Sequence, residues 1–234
     1  MFFDLNIKGS SLENNIRLAS EASRYGWDHI NFSYNQNEFK DALDLKDDLE
    51  NNLDISFDYT LEIKSSNVNE IRKAVNNFRS RASCISVVGG DLKVNRAVVE
   101  NSRVDVLSRP YLNRYDAGLN HVLSKEALRN NVAIELCFKD VLRSYLSHRA
   151  RVISNFRDIY ALYQKFGFPL ILSSRAESVF DIRTTQDFVS FFKQTGLTDI
   201  EISKSFENSR DILEFNKHRD KMIFKGVRRV DDEA

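Results

Sequence analysis

Short apolar runs alternate with amphipathic segments from one end of the chain to the other. The runs at 2–7 (FFDLNI), 29–32 (HINF), 55–63 (ISFDYTLEI), 84–88 (CISVV), 104–107 (VDVL), 132–136 (VAIEL), 170–173 (LILS) and 200–203 (IEIS) are rich in β-branched and aromatic residues, which predicts eight strands. Between them apolar residues recur three and four apart: Leu12, Ile16 and Ala19 behind Ser10 and Ser11; Val94 and Val98; Leu119, Val122 and Leu123; Phe188, Phe191 and Phe192. Ile71, Val75 and Phe78 follow Asn67, with Glu70 placed to complete a capping box. Each set makes one helical face that can cover a strand while the opposite face stays wet.

Strand starts recur at roughly 28 residues, the length of a strand plus its crossover helix. Eight such units predict a single α/β domain, a (β/α) barrel of the TIM type over 1–216, with an open doubly wound sheet as the alternative. Residues 217–234 have no strand left to pair with and are expected to form a basic helix end and a mobile tail.

Composition narrows the class. With 42% apolar and 11% aromatic residues, 2 Pro and 8 Gly, the chain is neither disordered in bulk nor rich in linkers. Cys84 and Cys137 each sit inside an apolar run, which reads as buried thiols and speaks against a disulfide framework or a cysteine-based zinc site. No apolar stretch approaches the roughly 18 residues of a membrane span. Asp4 interrupts the opening apolar residues, so no leader is expected and a cytoplasmic chain without membrane contact is.

The loops after barrel strands are where chemistry is expected, and they lack its usual signs. There is no GxGxxG, HxH, HExxH or CxxC, and His29, His121, His148 and His218 have no ligand spacing. Gly89–Gly90 reads as a tight turn or as backbone N–H groups for a phosphate. Asp4, Asp58, Glu62, Asp105 and Glu135 read as strand-end groups paired with arginines, or as an acid/base or oxygen-ligand set. Ser173–Ser174 lacks the flanking glycines of a nucleophile elbow.

Charge is zero overall, 34 Lys+Arg against 34 Asp+Glu, but unevenly placed. Residues 1–80 carry 9 Lys+Arg and 14 Asp+Glu, whereas 81–183 carry 16 and 10, and 12 of those 16 cations are arginine. Arginine's planar fork suits phosphate oxygens and stacks on bases. Several of these residues fall at predicted strand-to-helix loops: Lys93, Arg96, Arg109, Arg114, Arg149, Arg151, Arg175 and Arg183. Such loops converge on one rim of a barrel, so the set reads as one electropositive face or as ordinary solvated helix surface.

The stretches ISVVGGDLKVNRAVVENSRVDVLSRP (85–110), GLNHVLSKEALRNNVAIEL (118–136) and ILSSRAESVFDIRT (171–184) resemble the thirty-kilodalton protein subunit family of ribonuclease P, known in archaea as ribonuclease P protein component 3. FFDLNI resembles that family's first strand, so the likeness runs over essentially the whole chain. The resemblance implies a barrel related to the polymerase and histidinol phosphatase hydrolases and a part in removing the 5′ leader from precursor tRNA. It implies that the RNA subunit holds the active site and uses magnesium, so that this chain has no catalytic residue, metal or cofactor of its own and is inactive alone. It implies as partners the ribonuclease P RNA, precursor tRNA and other ribonuclease P proteins, especially the Pop5-type subunit. Where the related hydrolases carry HxH, this chain has Asp4-Leu5-Asn6. RNA-binding positions carried over from the motifs are Lys93, Arg96, Arg109, His121, Lys125 and Arg183, while Arg175 departs from the family pattern. Two other readings stand beside this one: a divergent metal-dependent hydrolase built on Asp4, Glu135 and His121, and a purely structural assembly subunit.

Overall fold

A computed structural model describes residues 1–224 and 227–229. Its elements run β1 (Phe3–Lys8), α1 (Leu12–Arg24), β2 (His29–Tyr34), α2 (Phe39–Asp44), α3 (Lys46–Glu50), β3 (Ser56–Ile63), α4 (Val68–Phe78), β4 (Cys84–Val88), α5 (Leu92–Val99), β5 (Val106–Ser108), α6 (His121–Asn130), β6 (Ala133–Cys137), α7 (Phe138–Leu142), α8 (Leu146–Phe166), β7 (Leu170–Ser173), α9 (Thr185–Gln194) and α10 (Asp199–Lys217). Strands β1 to β7 lie parallel in sequence order, each beside the next, and curl into a nearly closed TIM-like barrel wrapped by helices.

Parallel register puts partnered residues on one face, and the two faces differ in chemistry. Phe32, Leu61, Ile85, Leu107, Ile134 and Leu172 point outward under the helices and join the main core. The inward residues are mostly small or polar: Asn31, Ser33, Thr60, Glu62, Ser86, Ser108, Glu135 and Ser173. A barrel interior usually fills with branched apolar side chains. Here only its lower layer does: Leu5, Cys84, Val106, Ala133 and Ile171, sealed at the strands' N-terminal ends by Ile212 and Leu213 of α10. Both cysteines are buried free thiols.

The expected strand at 200–203 is helix. Thr198 and Glu201 close a capping box, and Ile202, Ser205, Phe206, Ser209, Ile212 and Leu213 are buried at helical spacing along α10. Ile200 is exposed, so the brief I-E-I alternation marks no sheet face. α10 occupies the place of an eighth strand, packing against β7 and β1, and at the opposite end the gap is bridged by Lys8 N–H donating to Ala176 O at 2.8 Å. Three other expectations are corrected. Asn67 caps α4 through Asn69 N–H, but Glu70 accepts from Ser65 Oγ at 2.6 Å instead of completing the box. Arg149 and Arg151, expected in a strand-to-helix loop, lie on the 21-residue α8, which follows α7 after β6. Within 217–234, β8 (Met222–Phe224) and β9 (Val227–Arg228) pair with each other as an antiparallel hairpin, while residues 225, 226 and 230–234 lie outside the described residues.

Candidate nucleic-acid interface

The C-terminal ends of the strands open into a mouth closed by ion pairs. Glu62, at the top of β3, accepts two hydrogen bonds from Arg175 Nη2 (2.7 and 2.8 Å) and lies 3.5 Å from Lys8 Nζ. Burial works against its charge, but Arg175, Lys8 and Arg109 outweigh burial and hold its pKa below the ordinary carboxylate range. Across the mouth Arg109 pairs with Asp140 at 3.4 Å, and Tyr111 donates to the same carboxylate at 2.8 Å. Burial disfavours the Arg109 charge, but Asp140 together with Cys137, Tyr111 and Glu135 outweighs it, so its pKa is raised. Lys139 pairs with Glu177. Arg109 follows β5 directly and Arg175 follows β7 after Ser174, and both sit in the left-handed region, φ 50° and 52°. That conformation is uncommon for a residue with a β-carbon, and the pairs they form hold it.

Beneath this layer of ion pairs lies one in which carboxylates meet hydrogen-bond donors without a formal charge. Asn6 and Ser173 both donate to Glu135 Oε1, at 2.9 and 2.6 Å. Asp4 accepts from the backbone N–H groups of Asn6 and Ser174, each at 3.0 Å, and burial pushes its pKa up to about 6. Of the five strand carboxylates, Glu62 and Asp105 are paired with arginines, whereas Asp4, Asp58 and Glu135 rest on neutral donors or, for Asp58, also on His29 at 3.9 Å. His121 is exposed at the start of α6, on the outer ring, while Asp4 and Glu135 are buried inside the barrel, so these three residues do not form a common site. Among the described residues no group of three or more His, Cys, Asp and Glu could hold a metal ion.

The six carried-over positions separate into three places. Lys93 and Arg96 are exposed in the first turns of α5, His121 and Lys125 in those of α6, and the two helices are neighbours joined by Asn130 Nδ2 donating to Val99 O at 2.9 Å. Arg96 pairs with Glu100 at 2.8 Å and keeps a largely exposed side chain. Arg109 lies in the mouth, 8% exposed. Arg183 sits apart on the β7–α9 connection, half-buried, its Nη1 donating to the carbonyls of Phe180 (2.6 Å) and Ile182 (2.9 Å).

Gly89–Gly90 serves structure. Gly89 N–H donates to Ser108 O and Gly90 N–H to Asn95 Oδ1, which leaves neither for a phosphate. Asn95 Nδ2 in turn donates to Pro110 O and Gly118 O, tying together the loops after β4 and β5.

Sequence patterns did not single out an aromatic–arginine margin beside the mouth. Tyr115, 85% exposed, carries the Arg151 guanidinium 4.0 Å above its ring, and Tyr145, 73% exposed, has Arg149 at 5.6 Å. Arg151 also lines a cleft of about 160 Å³ together with Arg114, Arg143 and His148 among others. Arg149 and Arg151 read from sequence only as loop cations; Tyr145 in RSYL lies one helical turn before Arg149, whereas Tyr115 in NRYD is remote in sequence from Arg151 and gives no local signal.

A model of the family described as RNase P subunit p30 matches residues 1–221. Ribonuclease P protein component 3 of Methanothermobacter thermautotrophicus is 43% identical over 97% of this chain and 94% of its own length. A chain in the cryo-EM structure of archaeal ribonuclease P with mature tRNA superposes with TM-score 0.85 at 29% identity, covering 99% of both chains. A histidinol phosphate phosphatase from Lactococcus lactis, complexed with zinc, L-histidinol and phosphate, shares the fold at TM-score 0.59 and 11% identity, over 84% of this chain and 94% of that one. The mouth here does not suit such a metal, because its carboxylates Glu62 and Asp140 are engaged by Arg175, Lys8 and Arg109.

Proposed function

The chain belongs to the RNase P subunit p30 family, and from that membership we propose that it works as a protein subunit of ribonuclease P whose barrel holds RNA rather than cleaving it. Similarity over the whole length to ribonuclease P component 3 proteins carries this reading. The partners are the ribonuclease P RNA, precursor tRNA and the other protein subunits, with a Pop5-type subunit as the direct protein neighbour. The RNA supplies the active site for 5′-leader removal together with the magnesium it uses, and the particle works in the cytoplasm.

The geometry supports a binding role in physical terms. RNA recognition by a folded surface rests on phosphate contacts and shape, with unpaired bases stacking on aromatic rings or guanidinium planes. Lys93, Arg96 and Lys125 offer exposed cations on adjoining helices, and Tyr115–Arg151 and Tyr145–Arg149 offer ready-made stacking pairs. The mouth, by contrast, is occupied by mutually paired charges, which stabilises the barrel top as a rigid support.

Reconstitution tests the proposal. Adding the chain with its protein partners to the cognate RNA raises leader cleavage at moderate magnesium relative to the same mixture lacking it. Equal cleavage in both mixtures would sink the reading.

A further inference from the structure

The end of the barrel opposite the mouth carries a second cationic site. Asp105, just before β5, is buried, and its Oδ2 accepts from Ile85 N–H at 2.7 Å and from Arg79 Nη1. Its Oδ1 takes Arg219 Nη2 at 3.2 Å. Arg79 is itself buried and donates to the backbone carbonyls of Arg103 (3.2 Å) and Ala82 (2.7 Å). Among the described residues the Arg103 guanidinium bonds the neutral Asn76 Oδ1, at 2.9 Å, and pairs with no carboxylate. Two guanidiniums therefore share one carboxylate, with a third, Arg103, near enough for its charge to act on Arg219. Burial and the nearby Arg79 and Arg103 charges lower the Arg219 pKa despite Asp105, the mark of an excess of positive charge.

This cluster forms part of the wall of a groove of about 790 Å³ between the strands' N-terminal ends and the last turns of α10. Arg81 and Lys217 also line it, both exposed and without an ion-pair or hydrogen-bond partner for their side chains among the described residues. Asp58 and Glu214 are the acidic residues lining it, and Glu214 faces Arg210 at 3.7 Å. Crowding cations in a partly desolvated place costs free energy that a bound anion offsets. An extended groove with several such cations fits a run of phosphates better than a single ion.

We infer that this groove, between α10 and the α4–β4 and α5–β5 loops, is a second phosphodiester-binding surface that takes a strand of RNA. The inference rests on the ribonuclease P reading for the kind of polyanion, but not on the α5–α6 face. With one RNA surface at each end of its strands, the chain would clamp two separate RNA segments at a distance set by the barrel.

Because Cys84 and Cys137 are buried, a cysteine introduced at Ser80 in the groove, or at Val122 on α6, can be labelled selectively with an iron chelate that cleaves nearby RNA. In the particle reassembled with cognate ribonuclease P RNA and its other subunits, the two probes are expected to cut two separate sets of nucleotides. Cuts from Val122 alone overturn the groove proposal and leave the α5–α6 face in place; cuts from Ser80 alone do the reverse. In parallel, the combined Arg81→Glu, Arg103→Glu, Lys217→Glu variant, checked for unchanged thermal unfolding, should lower the salt slope of RNA binding by about 2, three contacts at roughly 0.7 each. An unchanged slope, or loss of a protein subunit from the particle with RNA affinity intact, overturns it.

Discussion

Arg175 and Glu62 form a doubly hydrogen-bonded charge pair in the barrel mouth, one guanidinium nitrogen bonding both carboxylate oxygens at 2.7 and 2.8 Å while each side chain is nearly buried. Arg175→Ala leaves Glu62 with Lys8 as its direct ion-pair partner and Arg109 farther off, and the expected loss is about 3 kcal/mol of unfolding free energy. Urea denaturation checks this. The Glu62→Gln, Arg175→Gln double variant should lose less than the two single variants combined, by about 1–3 kcal/mol; strict additivity would mean that the two residues act independently.

Asp4 and Glu62 give stability opposite pH dependences. Folding raises the Asp4 pKa from 3.8 to about 6, so the folded state holds that proton more tightly than the unfolded chain. Its stabilising contribution is complete below the unfolded value and fades as pH rises through the folded one. The stability of the parent relative to Asp4→Asn should therefore fall by about 2 kcal/mol between pH 4 and 6.5. Glu62, held below its ordinary 4.5, contributes above that value and loses its contribution as pH falls through the folded pKa. Chemical unfolding of Asp4→Asn and Glu62→Gln across this range separates the two, and parallel curves for parent and Asp4→Asn would contradict the first.

How much of this was legible in the sequence depends on which interaction fixes each residue. The strands from FDLNIK to LILS show themselves because one face is continuously apolar, and the polar members Asn31, Ser33, Thr60 and Glu62 alternate with it. The segment at 200–203 misled because four residues cannot separate period two from the helical period that α10 sustains to Leu213. The left-handed backbone at Arg109 and Arg175 left no mark either: glycine or asparagine would announce it, whereas here partners 31 and 113 residues away hold the conformation. Lys93, Arg96 and Lys125 were readable as exposed cations from helical period alone, but that Arg109 and Arg183 are engaged by the fold follows only from tertiary contacts.

That division predicts two classes of variant. Arg96→Glu and Lys125→Glu should leave unfolding free energy within about 0.5 kcal/mol of the parent, while each lowers the salt slope of RNA binding by about 0.7. Arg109→Ala should cost about 3 kcal/mol, because Asp140 is left largely buried without its cation. Filter binding over a salt series, beside thermal unfolding, resolves the two. RNA affinity unmoved by both surface reversals would favour a structural assembly role over RNA contact at α5 and α6.

Tyr115 and Tyr145 present exposed rings already paired with arginine planes. Replacing either by Leu keeps the apolar area and removes the flat π-surface. If unpaired bases stack there, each substitution should weaken binding of the cognate RNA by about 1–3 kcal/mol, roughly 5- to 150-fold. The salt slope should stay unchanged because no phosphate contact is lost. A reduced slope with unchanged stability would instead mean that the tyrosines act by positioning Arg149 and Arg151.

The last prediction concerns Asn95, the buried amide that joins two rim loops through Gly90 N–H, Pro110 O and Gly118 O. Asn95→Ala strands all three backbone groups and should cost about 2–4 kcal/mol. Asn95→Asp keeps the acceptor for Gly90 but turns a carboxylate oxygen toward two carbonyls, so it should be no better than the alanine. Gly118→Ala tests the same junction from the other side. Its φ is +65°, and an added β-carbon would lie 1.9 Å from Pro110 O, so the β5–α6 loop must move. Arg114, held by Asp116 and by Gly90 O, should then become a faster trypsin site in all three variants. The α5–α6 cations hang from this junction: Lys93 and Arg96 lie in the helix that carries Asn95, and His121 and Lys125 in the helix that follows the tied loop. RNA affinity should therefore fall with loop opening although no RNA-facing residue is changed. Rapid proteolysis at Arg114 combined with full affinity would show instead that the two helices hold their cations without the loops.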